Sequence, residues 1–177
     1  MTLYGIEIGC YGTSEQLPCT NVLWFTLEMI KRLLNKLKPK VIKDSYFGEM
    51  GSTYDGIKGC YYLDKDIDLE KVYTPVTLYL IVSKEKSNKN QQLAFESIKT
   101  DFLNIWSSLI KYIVDTEQLA THDQLKKQYR LESITLPEDI NEKDMKWEIG
   151  LMNLKDGFSR IIIAMENYNP SHYSVEA

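Results

Sequence analysis

The sequence predicts an α+β fold: a single domain over residues 1–177, with a largely antiparallel sheet and two long amphipathic helices packed on it. Three observations carry this. Lys146 to Tyr168 reads K-W-E-I-G-L-M-N-L-K-D-G-F-S-R-I-I-I-A-M-E-N-Y, two β-type runs flanking Asp156-Gly157, a dipeptide that tolerates the positive φ of a tight reversal. Val76 to Ser83 alternates with Val76, Leu78, Leu80 and Val82 on one side. Two long stretches, residues 21–37 and 91–114, place apolar residues at steps of three and four, the period of a helix that buries one face.

In chain order, Leu3 to Ile8 alternates and suits a first strand, and Gly9 to Pro18 is a turn-rich connection. Leu23, Leu27, Ile30, Leu34 and Leu37 then form a helical stripe. Thr20 or Asn21 is placed to cap it, Pro39 stops it, and Lys36, Lys38 and Lys40 complement the negative end of its dipole. Val41 to Leu63 reads as strand, turn, strand, with Asp55-Gly56 at the reversal and the second arm near 57–63. Phe95, Ile98, Phe102, Ile105, Trp106, Leu109 and Ile113 are the stripe of the longer helix, so Phe102 and Trp106 are expected to be buried. A short helix over Thr121 to Tyr129 and a strand over Leu131 to Leu136 follow, closed by Pro137. Strands near 146–153 and 159–166 complete the sheet. Ile161-Ile162-Ile163-Ala164 is apolar on both faces, which predicts a central strand. There is no internal repeat and no Gly/Ser linker.

Composition narrows the function classes. A chain of 177 residues, 44% hydrophobic and 26% charged, can bury a core without disulfides. A formal charge of −4 disfavours a protein that must neutralise phosphates, so no nucleic-acid partner is expected. No apolar run approaches the ~20 residues of a membrane span, and the N-terminus lacks a signal peptide's basic and apolar regions, so a cytoplasmic protein without membrane partners is expected. Cys10, Cys19 and Cys60 contain no C-x-x-C pair; Cys10 and Cys19 either pair or stay as idle thiols.

No catalytic set, cofactor motif or metal site is readable. His122 and His172 stand in no metal-binding spacing. Gly48-Glu-Met-Gly51-Ser-Thr53 lacks the Gly-Lys of a phosphate loop, and Ser159 lacks the second glycine of a nucleophile elbow. Asp64, Asp66, Asp68 and Glu70 occupy every second position, but Leu69 and Pro75 stand where a calcium loop needs Gly and Glu. That stretch reads either as a strand or loop edge facing water or as a partner-binding edge. Lys31 to Lys43 is basic without an acid, whereas Glu132 to Glu148 is acidic, with Glu138, Asp139, Glu142 and Asp144 in one polar loop. Twelve tyrosines, among them Tyr46, Tyr54, Tyr61 and Tyr62, offer large amphipathic contact area of the kind interfaces use.

The Tyr46-Phe47-Gly48-Glu49 turn, the Asp55-Gly56 hairpin, the Val76–Ser83 strand, the Gln91–Val114 helix and the closing Trp147-Glu-Ile-Gly-Leu and Asp156-Gly-Phe hairpin occur in that order. Taken together they resemble small bacterial α+β domains of unknown function grouped with the immunity proteins of polymorphic and contact-dependent toxin systems. The resemblance covers about residues 41–177; residues 1–40, a strand and a lysine-ended helix, have no counterpart in it. It implies a non-enzymatic cytoplasmic protein, monomer or weak dimer, that binds one cognate toxin domain, for example a basic nuclease. These families share no catalytic residues, so none is carried over. The acidic residues Asp64, Asp66, Asp68, Glu70, Glu138, Asp139, Glu142 and Asp144, with Tyr46, Tyr54, Tyr61 and Tyr62, are the expected partner-binding set. The rival reading is an enzyme with a dispersed carboxylate and tyrosine site, with Glu49, Asp55 and His122 as its players, and a third is a structural interaction module.

Overall fold

The structure, a computed structural model, describes residues 40–69, 75–116, 122–141 and 143–176. All belong to one compact unit, residues 39–177. The strand expected at 3–8, the helix expected at 21–37 and the Cys10 and Cys19 thiols lie outside the described residues, as do Glu70 and Glu142.

Eight strands form one sheet: β1 (Lys40–Asp44), β2 (Gly48–Asp55), β3 (Cys60–Ile67), β4 (Val76–Val82), β5 (Tyr129–Leu136), β6 (Lys146–Asn153), β7 (Arg160–Glu166) and β8 (Asn169–Glu176). Spatial order follows chain order, and every neighbouring pair is antiparallel except β4 with β5. That pair is parallel because the connection between them is a crossover carrying α1 (Lys89–Thr116) and α2 (His122–Gln128), whereas β1 to β2, β2 to β3, β6 to β7 and β7 to β8 are joined by short reversals. The expected architecture of two long helices on a sheet is thus corrected. Among the described residues there is one helix of 28 residues, one of seven, and a much larger sheet.

The helix α1 buries Ala94, Phe95, Ile98, Phe102, Ile105, Leu109 and Ile113, a stripe at steps of one to four. They join the inward residues Leu63 of β3, Leu78 and Leu80 of β4, Ile134 and Leu136 of β5, Ile149 of β6 and Ile163 of β7 in one core. Each such side chain contributes roughly 1.5–3 kcal/mol on burial, which is what holds a helix of this length on the sheet. Phe102 is buried as expected, but Trp106 is only half-buried, stacked on the Phe102 ring at the edge of the stripe.

Polar ties then fix where α1 begins. Asn88 caps it: its Oδ1 accepts the Gln91 amide at 2.9 Å while Gln91 Oε1 accepts the Asn88 amide at 3.1 Å. Gln91 is 0% exposed, and its Nε2 donates to the carbonyls of Ile81 and Leu136, each at 3.1 Å, and of Pro137 at 3.3 Å. The cap therefore also staples the helix to the ends of the parallel strands. Asp44, closing β1, accepts the amides of Tyr46 and Phe47 at 2.9 Å and of Ser87 at 2.8 Å, binding the first turn to the segment that enters α1.

Several sequence expectations need correction. Val41 to Leu63 contains three strands rather than two, because Ser45 to Phe47 is a second reversal. The third strand runs Cys60–Ile67, so Asp64 lies inside the sheet, paired with Gly51 of β2 and Tyr79 of β4, while Asp66 pairs with Thr77 of β4 alone. The strand β7 is seventh of eight, flanked by β6 and β8 but not at the middle of the sheet, and its second-face residues Ile162 and Ala164 are half-buried. Pro170 to Tyr173, with His172, belongs to β8.

Candidate functional site

The faces of the sheet differ. One packs on α1; the other carries alternate, half-buried or exposed residues, among them Tyr62, Asp64 and Asp66 of β3, Thr77 and Tyr79 of β4, and Arg160 of β7. Among the described residues no helix lies on this second face.

Two glycines shape it. Gly51 of β2 pairs with Asp64 of β3, and Gly150 of β6 pairs with Ser133 of β5. A Cβ at Gly51 would sit 2.5 Å from Asp64 Oδ1, and one at Gly150 would sit 2.3 Å from Ser133 Oγ. The missing side chains thus let the neighbouring polar groups lie down across the sheet. We expect Gly150→Ala to cost about 1–2 kcal/mol by overpacking, and Ser133→Ala in the same chain to restore most of it, measured by thermal unfolding. Equal loss in single and double variants would show that Ser133 is not what the glycine accommodates.

Next to Ser133 the register of β5 on β6 shifts between Leu131 and Ser133. A bulge re-aims side chains, and here Glu132 meets Arg160 of β7, with Nε 2.8 Å from Oε2 and Nη2 donating to Oε1 at 3.0 Å. The Nε contact is a close charge pair whose N–H is not aligned on Oε2. Tyr79 lies opposite Asp64; burial first, and then the Asp64 carboxylate, push its phenol above the usual tyrosine range, with Arg160 opposing. The result is a polar band across β3 to β7: tyrosines, a bound arginine and carboxylates. Asp66 accepts the Thr77 hydroxyl at 3.1 Å, while Asp64 has no hydrogen-bond or ion-pair partner among the described residues.

The same face holds an open pocket of about 170 Å³. Ile81, Thr135, Pro137 and Ala164 line it, and Lys146, Glu148 and Glu166 border it.

The residues expected to bind a partner do not form one patch. Tyr62, Asp64 and Asp66 share the band, with the Tyr62 hydroxyl 2.9 Å from Lys58 Nζ, and Asp68, just after β3, is exposed. Tyr61 lies on the α1 side of β3, its ring 4.8 Å from that of Tyr54. Tyr46 hydrogen-bonds Glu96 on α1; burial, and then that carboxylate, push its phenol up to about 12, marking it as a structural tie. Glu138 accepts the Ser83 amide at 2.9 Å and its hydroxyl at 2.7 Å, so it clips two loops together. Asp139 is exposed, and Asp144 pairs with Lys146 at 3.4 Å. Of the rival enzymatic set, the His122 side chain lies outside the described ones, and the two carboxylates stand apart. Glu49 and Asp55 are six residues apart on β2, about 20 Å along a strand, and Asp55 is occupied accepting the amides of Ile57 and Lys58.

Sequence reading missed Tyr79, Glu132, Ser133 and Arg160. The signal available was Gly150, a glycine inside an otherwise strong β run, which marks a close approach across the sheet.

No family model matches the chain, no curated protein is similar to it, and no solved structure matches it. Among the described residues no helix is long and apolar enough to cross a membrane, and no three His, Cys, Asp or Glu residues are grouped to hold a metal ion. Cys60, half-buried at the start of β3, is a free thiol.

Proposed function

We propose that this chain is a non-enzymatic immunity or inhibitor protein that holds a basic toxin domain against the sheet face opposite α1. The observation that carries the reading is the composition of that face: tyrosines and carboxylates on a rigid sheet, with Asp64, Glu148 and Glu166 lacking any cationic partner among the described residues. Unpaired carboxylates steer a basic partner during approach, and half-buried tyrosines supply contact area at little entropic cost. A catalytic site would need a nucleophile or base held within hydrogen-bond reach of a partner group, and the carboxylates singled out for that role lie far apart.

If the reading holds, a large secreted protein with a variable C-terminal domain is encoded beside this chain, and the test is co-expression with that domain. The wild type is expected to restore growth, and Asp64→Lys with Asp66→Lys to lose that protection while accumulating to the same level. Protection undiminished by the double reversal would place the interface elsewhere.

A further inference from the structure

We infer that the pocket between β4 and β7 is a socket for a single arginine side chain of the partner protein. This rests on the reading that a basic protein docks on this face, and it names the chemistry of the contact.

The pocket combines two kinds of surface. Its floor is apolar where Ile81, Pro137 and Ala164 line it. Its border carries Glu148, directly across from Ala164, and Glu166, directly across from Lys146. On one face of an antiparallel pair, such diagonal positions lie about 7–8 Å apart, a span that a guanidinium between two carboxylates fills. Lys146 is drawn aside toward Asp144 at 3.4 Å, while neither Glu148 nor Glu166 has an ion pair or side-chain hydrogen bond among the described residues.

An anionic group would meet two carboxylates that have no ion-pair partner among the described residues, with Lys146 engaged by Asp144. A purely apolar side chain would cover the floor and leave both carboxylates without a partner. An arginine satisfies both surfaces, because its methylene stem lies along apolar walls while the planar fork donates to more than one carboxylate. Lysine shares the stem but presents a point charge that cannot bridge the pair.

The probes are N-acetyl-arginine amide and its lysine, leucine and glutamate counterparts, titrated at constant ionic strength into the full chain while the methyl signals of Ile81, Thr135 and Ala164 are followed by NMR. The arginine amide is expected to shift these signals with a Kd of about 1–10 mM, the range its size allows. The lysine and leucine amides should bind about fivefold or more weakly, and the glutamate amide should not bind. Glu148→Gln with Glu166→Gln, both exposed positions, should weaken the arginine amide by about fivefold or more. Ala164→Leu should abolish the shifts by filling the floor. Equal shifts from arginine, lysine and leucine amides, or arginine shifts that survive the Gln pair, would overturn the socket.

The co-expression assay separates this failure from that of the docking face. If Ala164→Leu protects like the wild type while the Asp64 and Asp66 reversals do not, the socket is wrong and the face stands. If the wild type itself gives no protection, the docking reading falls, and the amide titration alone supports or overturns the socket.

Discussion

Replacing Asp44 by Ala is expected to destabilise the protein by about 3 kcal/mol or more, because the amides of Tyr46, Phe47 and Ser87 lose one shared acceptor in a buried site. For a chain of this size that corresponds to a fall in Tm of about 6–12 °C. Asp44 is 3% exposed, so water cannot take over as acceptor without opening the turn. Burial by itself would raise the pKa of this carboxyl, but the Phe47, Ser87 and Tyr46 amides and the Ser87 hydroxyl outweigh it and hold the value below the usual aspartate range. The sign of the pH dependence follows. With a folded pKa below the unfolded value of about 3.9, the stabilisation is present in full above that value and is lost as pH falls through the folded pKa. Asp44→Ala should therefore flatten the acid limb of the stability curve as well as lower it. Urea unfolding of both proteins between neutral pH and the acid transition measures this; an unchanged acid limb would contradict the role given to the carboxylate.

Replacing Gln91 by Leu is expected to cost about 3 kcal/mol, since the carbonyls of Ile81, Leu136 and Pro137 lose their shared donor and α1 loses half of its cap. The effect should exceed that of any exposed residue on the helix, because the same side chain joins the helix start to both parallel strands. Gln91→Glu supplies a sharper comparison. A carboxylate there would face three carbonyl oxygens, so its folded pKa is raised, and the variant should lose least stability below about pH 4, where the protonated acid donates, and most at neutral pH. If Gln91→Leu matches the wild type in urea, the cap and the carbonyl ties contribute nothing net.

The elements legible in the sequence were those with one face buried and one turn residue fixed. Val76–Val82 and the β6–β7 hairpin alternate cleanly against the core, and Gly157 adopts the positive φ that its position after Asp156 predicts. The helix α1 announced itself by its stripe, although one turn's worth of added length at the two ends, Lys89 to Thr116, had to come from the structure. The strand that was merged with its neighbour, β1, and the one that escaped notice, β8, lie at the edges, where burial is slight and KVIKD or NPSHYSVE need no apolar alternation. Reversals without a turn dipeptide were also missed: Asp44 closes the first with its carboxylate, and Asn167 closes the last at φ 55°, its amide and carbonyl tied to Met145 and Trp147.

The band was half legible for a related reason. Tyr62, Asp64 and Asp66 stand at every second position of one strand, so sequence spacing alone places them on a common face. Glu132 and Arg160 meet across 28 positions through a bulge, and no local pattern reports that. Charge density along the chain instead drew attention to Glu138 and Asp144, which the structure uses to clip Ser83 and to pair Lys146.

The central claim, a proposal, is that the face opposite α1 receives a basic protein partner, and association kinetics with the toxin domain of the co-expression test check it most directly. Asp64→Asn with Asp66→Asn removes two half-buried or exposed charges from that face without touching the core. Across a salt series, the wild type is expected to associate faster at low ionic strength, and the double variant to lose about tenfold in association rate there while converging with the wild type at high salt. Association rates that coincide at every salt concentration would contradict the account.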